Sequence, residues 1–539
     1  MRAIRFPLPG ADTLLQSFSR QKQLLLWCLC STFLFGLLAH AYGFFHCSLS
    51  HDYLNAFLAT AQENAWKIRL GRFFVPLYRS VFRNAAGLPW LIGILGLFWT
   101  SLSAFLVCKL FRVESRPLII LICGMMATNI TYIGQIATYL YEFDFNALAL
   151  LFSVLAVYLW NSTLLPADAE GHRFSPGRGL LAALCILVSL GLYQAYFDVA
   201  VTLIIALCLR NLLEKESAAA VLRRGLWGVA ILLLGGVFYL AAGKLIYACT
   251  GLSAQSRTDL FATGGQNIFL LYLGLVKSGL YFWFTTTAHS AYNSASLPVC
   301  VFGLTGLLLC ITAVHFYREK YGFSRFFLAL LLLIAMPFGM ICVYFGARGS
   351  NVHDLMVYAV WFLYIFLLLL SFRLYRLRPG LLTKLTRAAA LILVSCLLWQ
   401  NVVLANTAYS KKELESTAAL STMTRVVSDL EHQPDYVYGE TPVAFFGIFD
   451  GSGYLFEDTA VRRIVGLSCD TPLWNDGISD YYCTYRAYFN FVLQYKINLC
   501  DEERHQELAE DPRVTQMPAY PNQGYIQNID GVLVVRFPN

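Results

Sequence analysis

Six charged residues near the ends of long apolar runs could take part in chemistry. They are Asp52, Arg72, Glu142, Asp144, Lys244 and Arg348. Ionised groups at the edge of a membrane are costly unless they serve a function. Arginine binds phosphate through paired hydrogen bonds, and a carboxylate can remove a proton from a hydroxyl group. The set therefore indicates a transfer reaction on a lipid substrate that carries phosphate.

Asp52 is the first candidate general base. It follows Ser50 and His51 and precedes residues 55–70, whose apolar side chains recur at helical spacing and predict an amphipathic helix along the membrane surface. Capping this helix is an alternative role for Asp52, since Asp is a favoured N-cap residue. His51 is a candidate for binding the sugar or the acceptor. Arg72 is a candidate phosphate ligand or, alternatively, an interfacial residue whose charge reaches water.

The stretch Tyr141-Glu142-Phe143-Asp144 supplies two further catalytic candidates and one aromatic candidate for sugar or acceptor binding, Tyr141. Residues two positions apart on an α-helix point about 200° apart, so both acids converge only if one precedes the helix. We rank Glu142 above Asp144 because Asp144 could instead cap the fourth predicted span and leave Glu142 free in the loop. No cofactor is predicted, although the acid-x-acid pattern leaves a divalent metal open as an alternative.

Three more candidates follow along the chain. Tyr193 and Gln194 stand in a short turn between two apolar runs, where they could bind sugar or belong to the aromatic residues that collect at membrane interfaces. Arg348 lies among small, donor-rich residues at 346–351, which predicts a phosphate clamp. Lys244 is a further candidate phosphate ligand. Alternatively, its long side chain only extends from the span to place the ammonium group at the membrane interface.

The elements that must position these residues are membrane spans. Of 539 residues, 58% are hydrophobic and only 14% charged, and the mean hydropathy is +0.57. Soluble proteins carry about 25% charged residues, so a water-soluble fold is excluded. Residues 1–406 carry a net charge of +16 and residues 407–539 a net charge of −9. We predict a transmembrane catalytic domain over 1–406 and a water-soluble domain over 407–539.

Eleven apolar runs of about 20 residues predict eleven transmembrane helices. They begin near residues 24, 88, 117, 145, 180, 199, 225, 297, 326, 355 and 388. Alternate connections, beginning with the N-terminus, hold 21 of the 30 Lys and Arg residues before residue 407, which places them and the N-terminus in the cytoplasm. Residues 268–284, interrupted by Lys277, are predicted to lie in the outer interface. The basic excess follows from this orientation and gives no argument for nucleic acid.

The acidic tail is then predicted to lie outside, in the periplasm. A helical start at residues 411–430 and short apolar runs at 443–449 and 532–537 predict a small α/β domain. It could cover the mouth of the active site, hold the glycan acceptor, or serve stability alone. Cys469, Cys483 and Cys500 predict one disulfide and one thiol, with the pairing open.

Short motifs occur in order along almost the whole chain. They are Asp52, Gly71-Arg72, Tyr141-Glu142-Phe143, Leu192-Tyr193-Gln194-Ala195-Tyr196, Met517-Pro518-Ala519-Tyr520-Pro521, Gly524-Tyr525-Ile526 and Ile529-Asp530-Gly531-Val532-Leu533-Val534-Val535. This arrangement resembles the O-antigen glucosyltransferases of serotype conversion.

The resemblance implies a GT-C membrane glycosyltransferase in the bacterial inner membrane. Such an enzyme moves a glucosyl or other hexosyl residue from undecaprenyl phosphate to an O-antigen or related lipid-linked glycan of lipopolysaccharide on the periplasmic side. An acid of the first outer loop is usually the base in GT-C enzymes, and Asp52 occupies that position. A single displacement would invert the anomeric carbon. Two alternatives stay open: an O-antigen polymerase or ligase with a lipid-diphosphate donor, and a non-enzymatic flippase for lipid-linked sugars.

Overall fold

A computed structural model describes most of the chain. The described residues are 11–46, 49–50, 54, 60–84, 87–163, 176–254, 270, 273–274, 277, 296–345, 354–447 and 484–538. His51, Asp52 and Arg348 lie outside them, as do most of the predicted interfacial segment, Cys469 and Cys483.

Fourteen helices make up the first part of the described chain. They are α1 (Ala11–Phe45), α2 (Thr60–Arg69), α3 (Val75–Phe82), α4 (Pro89–Leu110), α5 (Arg116–Ala127), α6 (Ile130–Tyr139), α7 (Phe143–Asn161), α8 (Pro176–Leu192), α9 (Phe197–Leu213), α10 (Ala218–Thr250), α11 (Ser296–Arg318), α12 (Phe323–Met340), α13 (Phe362–Leu377) and α14 (Leu381–Glu431). Short 3-10 turns connect several of them, among them Leu140–Glu142 and Gln194–Tyr196.

Local chemistry fixes several of these helix ends. The Asn129 side chain accepts a hydrogen bond of 3.1 Å from the Tyr132 amide at the start of α6, and Ser217 caps α10 in the same way. Proline stands in the first turn of α4 and of α5, where its missing N–H removes no helical hydrogen bond.

Nine helical stretches of the described residues are long and apolar enough to cross a membrane. One of them, Arg116–Asn161, contains the turn at 140–142 and includes two predicted spans. The apolar helix Pro176–Leu192, with 17 residues, coincides with the predicted span that begins near residue 180. All eleven predicted spans therefore coincide with helices. The polytopic helical character is confirmed, while the count of eleven crossings and the GT-C fold stay predictions.

Close packing joins these helices into one apolar core. Gly96 of α4 lies against the ring of Phe143, where an added Cβ would come within 2.2 Å of a ring carbon. The missing side chain lets α4 approach the beginning of α7. This contact holds the turn that carries Glu142 against the bundle.

The end of the chain forms a four-stranded sheet with strands β1 (Pro442–Phe446), β2 (Asn498–Leu499), β3 (Ile526–Ile529) and β4 (Val532–Arg536). The strand order is β2-β1-β4-β3, with β1 parallel to both neighbours and β3 antiparallel to β4. Asp530 and Gly531 both have positive φ, at 51° and 87°, as a two-residue hairpin turn requires. Helices α15 (Glu502–Ala509) and α16 (Pro512–Gln516) complete this region. The predicted α/β character is confirmed.

The sheet packs on α14, which passes through the predicted domain boundary at 406–407 without interruption. Leu54, from the loop predicted to carry Asp52, is 1% exposed and belongs to the same apolar core as Met423 of α14 and Val443 of β1. Ser416 of α14 also accepts a hydrogen bond of 3.2 Å from the backbone amide of Leu49. The tail therefore contacts the first loop directly, and the division into domains stays a prediction.

Candidate active site

The turn after α2 sets the position of Arg72. Gly71 has φ of +75°, and its amide bonds to the carbonyl of Ile68 while the Arg72 amide bonds to that of Lys67. These two hydrogen bonds form a Schellman motif, which ends a helix with a residue in the left-handed region. The Gly71-Arg72 pair thus reflects a backbone requirement of this turn.

The buried face of α2 is charged. Glu63 and Lys67, one helical turn apart, are each 1% exposed, whereas Trp66 is 42% exposed. The prediction of a helix here is confirmed over Thr60–Arg69, but the prediction of an apolar contact face is wrong. Its position along the membrane surface stays a prediction. The charged residues are buried because α3 and the turn before α7 supply ionic partners.

Five ionised side chains form a chain in which cations and carboxylates alternate. Arg79 pairs with Glu63, Glu63 lies 3.1 Å from the Lys67 ammonium group, Lys67 pairs with Glu142, and the second Glu142 oxygen accepts a hydrogen bond of 2.7 Å from Arg72. Each carboxylate thus stands between two cations. The capping interpretation of Asp144 predicted that Glu142 is free in the loop. This is wrong, because both oxygens of the Glu142 carboxylate bind cations.

Asp144 forms a second, separate pair. Its carboxylate lies 3.0 Å from Nε of Arg83 and is 0% exposed, and Arg83 also donates to the Tyr141 carbonyl at 2.7 Å. Asp144 lies within the first turn of α7 and does not precede it, so it is not the N-cap residue. We call the seven side chains of these two groups the charged cluster: Glu63, Lys67, Arg72, Arg79, Arg83, Glu142 and Asp144.

Aromatic and amide groups support the charged cluster. The Arg72 guanidinium lies 4.7 Å from the centre of the Tyr193 ring, and the Lys67 ammonium group lies 5.1 Å from that of Tyr141. Gln194 donates to the Leu70 carbonyl at 2.8 Å, which joins the turn before α9 to the end of α2. The structure therefore brings Tyr141, Tyr193 and Gln194 to the cluster, where they contact protein groups. Their predicted role in binding sugar or acceptor stays a prediction.

One positive charge of the charged cluster is not balanced within it. Four cations face three carboxylates, and Arg72, at 18% exposure of its side chain, is the most exposed member. Burial lowers the pKa of the Arg72 guanidinium, but the Glu142 carboxylate and the nearby Tyr193, Tyr141 and Tyr139 side chains together outweigh this, so the pKa is raised. Nε of Arg72 is buried and has no hydrogen-bond partner among the described residues. Binding of a donor phosphate by Arg72 stays a prediction.

The other predicted residues are placed differently. Lys244 lies on an exposed face of α10 and makes no described contact with the charged cluster. Asp198 is 0% exposed and accepts a hydrogen bond of 2.9 Å from the backbone amide of Val343, a few residues before the predicted phosphate clamp with Arg348. Among the described residues no group of three His, Cys, Asp or Glu side chains is arranged to hold a metal ion.

Four members of the charged cluster were not predicted as site residues: Glu63, Lys67, Arg79 and Arg83. A signal was present, since Glu63 and Lys67 stand four residues apart and so do Arg79 and Arg83, which puts each pair on one face of a helix. What the sequence did not show is that those faces are buried.

Replacing Gly71 with alanine is expected to lower both thermal stability and turnover. An L-residue in the left-handed region costs about 1–2 kcal/mol, and the new Cβ would lie 2.3 Å from the Tyr239 hydroxyl oxygen, so either the turn that carries Arg72 or the Tyr239 side chain must shift. Unfolding temperature and transfer rate measure the effect. The control is Gly236→Ala in α10, where φ is helical and no atom lies within 4 Å of the added Cβ. Equal behaviour of the two variants would contradict the role of this turn.

The described residues thus define a helical membrane protein with a buried ionic cluster, in which Arg72 is the most exposed member. Residues 41–368, more than half of the chain, match the family model described as Glucosyl transferase GtrII. The chain belongs to this family, and its activity is that of a glucosyltransferase, with a sugar donor and an acceptor. The matched range contains the whole charged cluster and ends before the tail. No curated protein and no solved structure gives a significant match.

Proposed function

We propose that the protein transfers a glucosyl residue from undecaprenyl phosphate to a lipid-linked glycan, an O-antigen or a related polymer, on the periplasmic side of the bacterial inner membrane. Asp52 is the general base, Arg72 binds the donor phosphate, and the product has the inverted anomeric configuration. Arg348 is a second candidate phosphate ligand.

The observation that supports this most is the excess positive charge of the charged cluster, of which Arg72 is the most exposed member. A lipid phosphate at the exposed part of the Arg72 side chain would neutralise the excess positive charge. The turn at Gly71 and the pair with Glu142 fix the guanidinium before substrate arrives, so little ordering is needed on binding. Family membership in turn favours a transferase over a non-enzymatic flippase.

The reaction needs one displacement. An acceptor hydroxyl oxygen attacks the anomeric carbon as its proton passes to the Asp52 carboxylate, and the bond from that carbon to the phosphate oxygen breaks. Undecaprenyl phosphate leaves with the bonding electron pair, and its additional negative charge is stabilised by Arg72. Glu142, with both oxygens bound to cations, acts by orienting Arg72 and not by binding the acceptor.

The function is tested with purified protein, an acceptor glycan lipid and either glucosyl-phospho-undecaprenol or glucosyl-diphospho-undecaprenol. We expect glucose transfer from the monophosphate with inversion, established by NMR of the product. Transfer from the diphosphate alone would instead support a polymerase or ligase reaction.

Arg72→Gln is expected to lower turnover by about 10²–10³-fold, since a preorganised group that stabilises developing charge contributes on this scale. Arg69→Gln is the matched control, because Arg69 precedes the same turn and is exposed. Steady-state kinetics on donor lipid measures both variants. Similar rates for the two would remove Arg72 from the phosphate site.

A phosphatase fused after Asn539 is expected to be active, because eleven crossings from a cytoplasmic N-terminus place the tail in the periplasm. Phosphatase and a cytoplasmic reporter, each fused at this point, measure the location in whole cells. An active cytoplasmic reporter with inactive phosphatase would contradict both the location of the tail and a periplasmic reaction.

A further inference from the structure

A cavity with charged residues at one end lies at the other end of the membrane body. A cavity of about 500 Å³ is enclosed mainly by α9, α11, α12 and α13 and by the connection after α4. Helix α4 begins near the charged cluster, where Gly96 meets Phe143, and it ends at Leu110, beside this cavity. The end of the cavity beside Leu110, which we call its mouth, and the charged cluster are therefore at opposite ends of α4.

Most of the cavity wall is apolar and long. Along α13 and the turn before it, the lining residues run from Val360 to Arg376, a distance of about 24 Å at 1.5 Å per residue. One leaflet of a bilayer has a hydrocarbon depth of about 15 Å, so the apolar lining can accommodate a chain that reaches beyond the midplane. Leu309, Met336 and Phe366 are among the residues that face this space.

All charged residues of the cavity lining belong to a separate group around its mouth. They are Arg112, Glu114, Arg210, Glu214, Arg373 and Arg376. Glu214 lies within 4 Å of three guanidinium groups, at 3.1 Å from Arg373 and at 3.7 and 3.8 Å from Arg112 and Arg210, and Arg376 lies 3.7 Å from Glu114. Four arginines against two glutamates leave a net charge of +2 at the mouth.

Two arginines of the mouth have capacity for another anion. Nε of Arg373 is buried and has no hydrogen-bond partner among the described residues, and the Arg376 side chain is 55% exposed. Arg373 and Arg376 are three residues apart and therefore lie on the same face of α13.

We propose that this cavity binds an anionic phospholipid, with one acyl chain along α13 and the phosphate between Arg373 and Arg376. The net charge selects an anionic headgroup over a zwitterionic one, and the apolar wall requires a hydrocarbon chain that a free phosphate ion lacks. The site is separate from the charged cluster and does not depend on the proposed transfer reaction.

Binding of dioleoyl phosphatidylglycerol and dioleoyl phosphatidylcholine to the delipidated full-length protein in neutral detergent tests this proposal, with native mass spectrometry as the measurement. We expect phosphatidylglycerol to bind at least about tenfold more tightly, and Arg373→Gln to weaken it about tenfold or more, as for loss of a hydrogen bond to a charged group. Leu309→Trp should weaken both lipids, because it fills the cavity and keeps every arginine. Arg318→Gln, at the exposed end of α11 and outside the cavity lining, should bind as the wild type does.

Size-exclusion chromatography identifies variants that do not fold. If Arg373→Gln does not fold, Arg376→Gln, at a more exposed position, is used in its place. Equal affinity of the wild type for the two lipids would overturn the proposal. Unchanged lipid binding in the arginine and tryptophan variants would do the same, as would displacement of the lipid by inorganic phosphate at comparable concentration.

Discussion

Asp52→Asn is expected to insert, fold and bind donor lipid normally while transferring glucose about 10²–10⁴-fold more slowly than the wild type. Asparagine caps a helix about as well as aspartate but cannot accept a proton at neutral pH. The substitution therefore separates the two interpretations of this residue. Donor binding and transfer rate are measured on the same purified sample.

Asp52→Ala is the companion variant, since it removes both the cap and the base. Loss of a cap alone costs about 1 kcal/mol of stability, so Asp52→Ala should unfold at a lower temperature than Asp52→Asn if Asp52 also caps the helix. If Asp52→Asn keeps more than about a tenth of wild-type turnover, Asp52 is not the base.

Glu142→Gln is expected to lower the free energy of unfolding by about 3–5 kcal/mol and to remove most of the transfer activity. The substitution leaves the Lys67 ammonium group with Glu63 alone, and it leaves Arg72 without a carboxylate. Removing one partner of a buried ion pair has a cost of this size because the other charge stays buried. Thermal unfolding and transfer kinetics measure the two effects.

Lys67→Met provides the comparison for this variant. It leaves the pairs Arg79 with Glu63 and Arg72 with Glu142 intact, so it should destabilise less than Glu142→Gln. The double variant restores the original net charge of the cluster and should recover part of the stability, but it should not recover turnover because Arg72 stays unpaired. A double variant whose loss of stability equals the sum of the single losses would contradict coupling through the charged cluster.

The apolar runs predicted the helices well because the length of a membrane span is set by the thickness of the bilayer. Strands β1 and β4 of the tail were predictable because their apolar runs end at Gly, Asp and Pro residues, whereas β2 and β3 were not predicted. The interior of the site was not, since Lys67 and Glu142 are 75 residues apart and local periodicity contains no information about that contact. For α2, a rule that packs apolar residues inward selected the wrong contact face. Arg72 and Glu142, which stand in motifs beside helix ends, were nevertheless among the predicted residues, and the structure pairs them in the charged cluster.

Because α14 is one continuous helix, it fixes the rotation of the tail about the helix axis relative to the membrane body. Its 51 residues extend about 77 Å, and the same helix supplies side chains to both apolar cores. Each residue inserted between those two sets of contacts would turn the sheet by about 100° around the helix axis. The sheet meets Leu54 only at one such angle. Helical phase in α14 is therefore part of what determines the shape of the first loop, and tails exchanged between relatives keep that loop in place only when the junction preserves this phase.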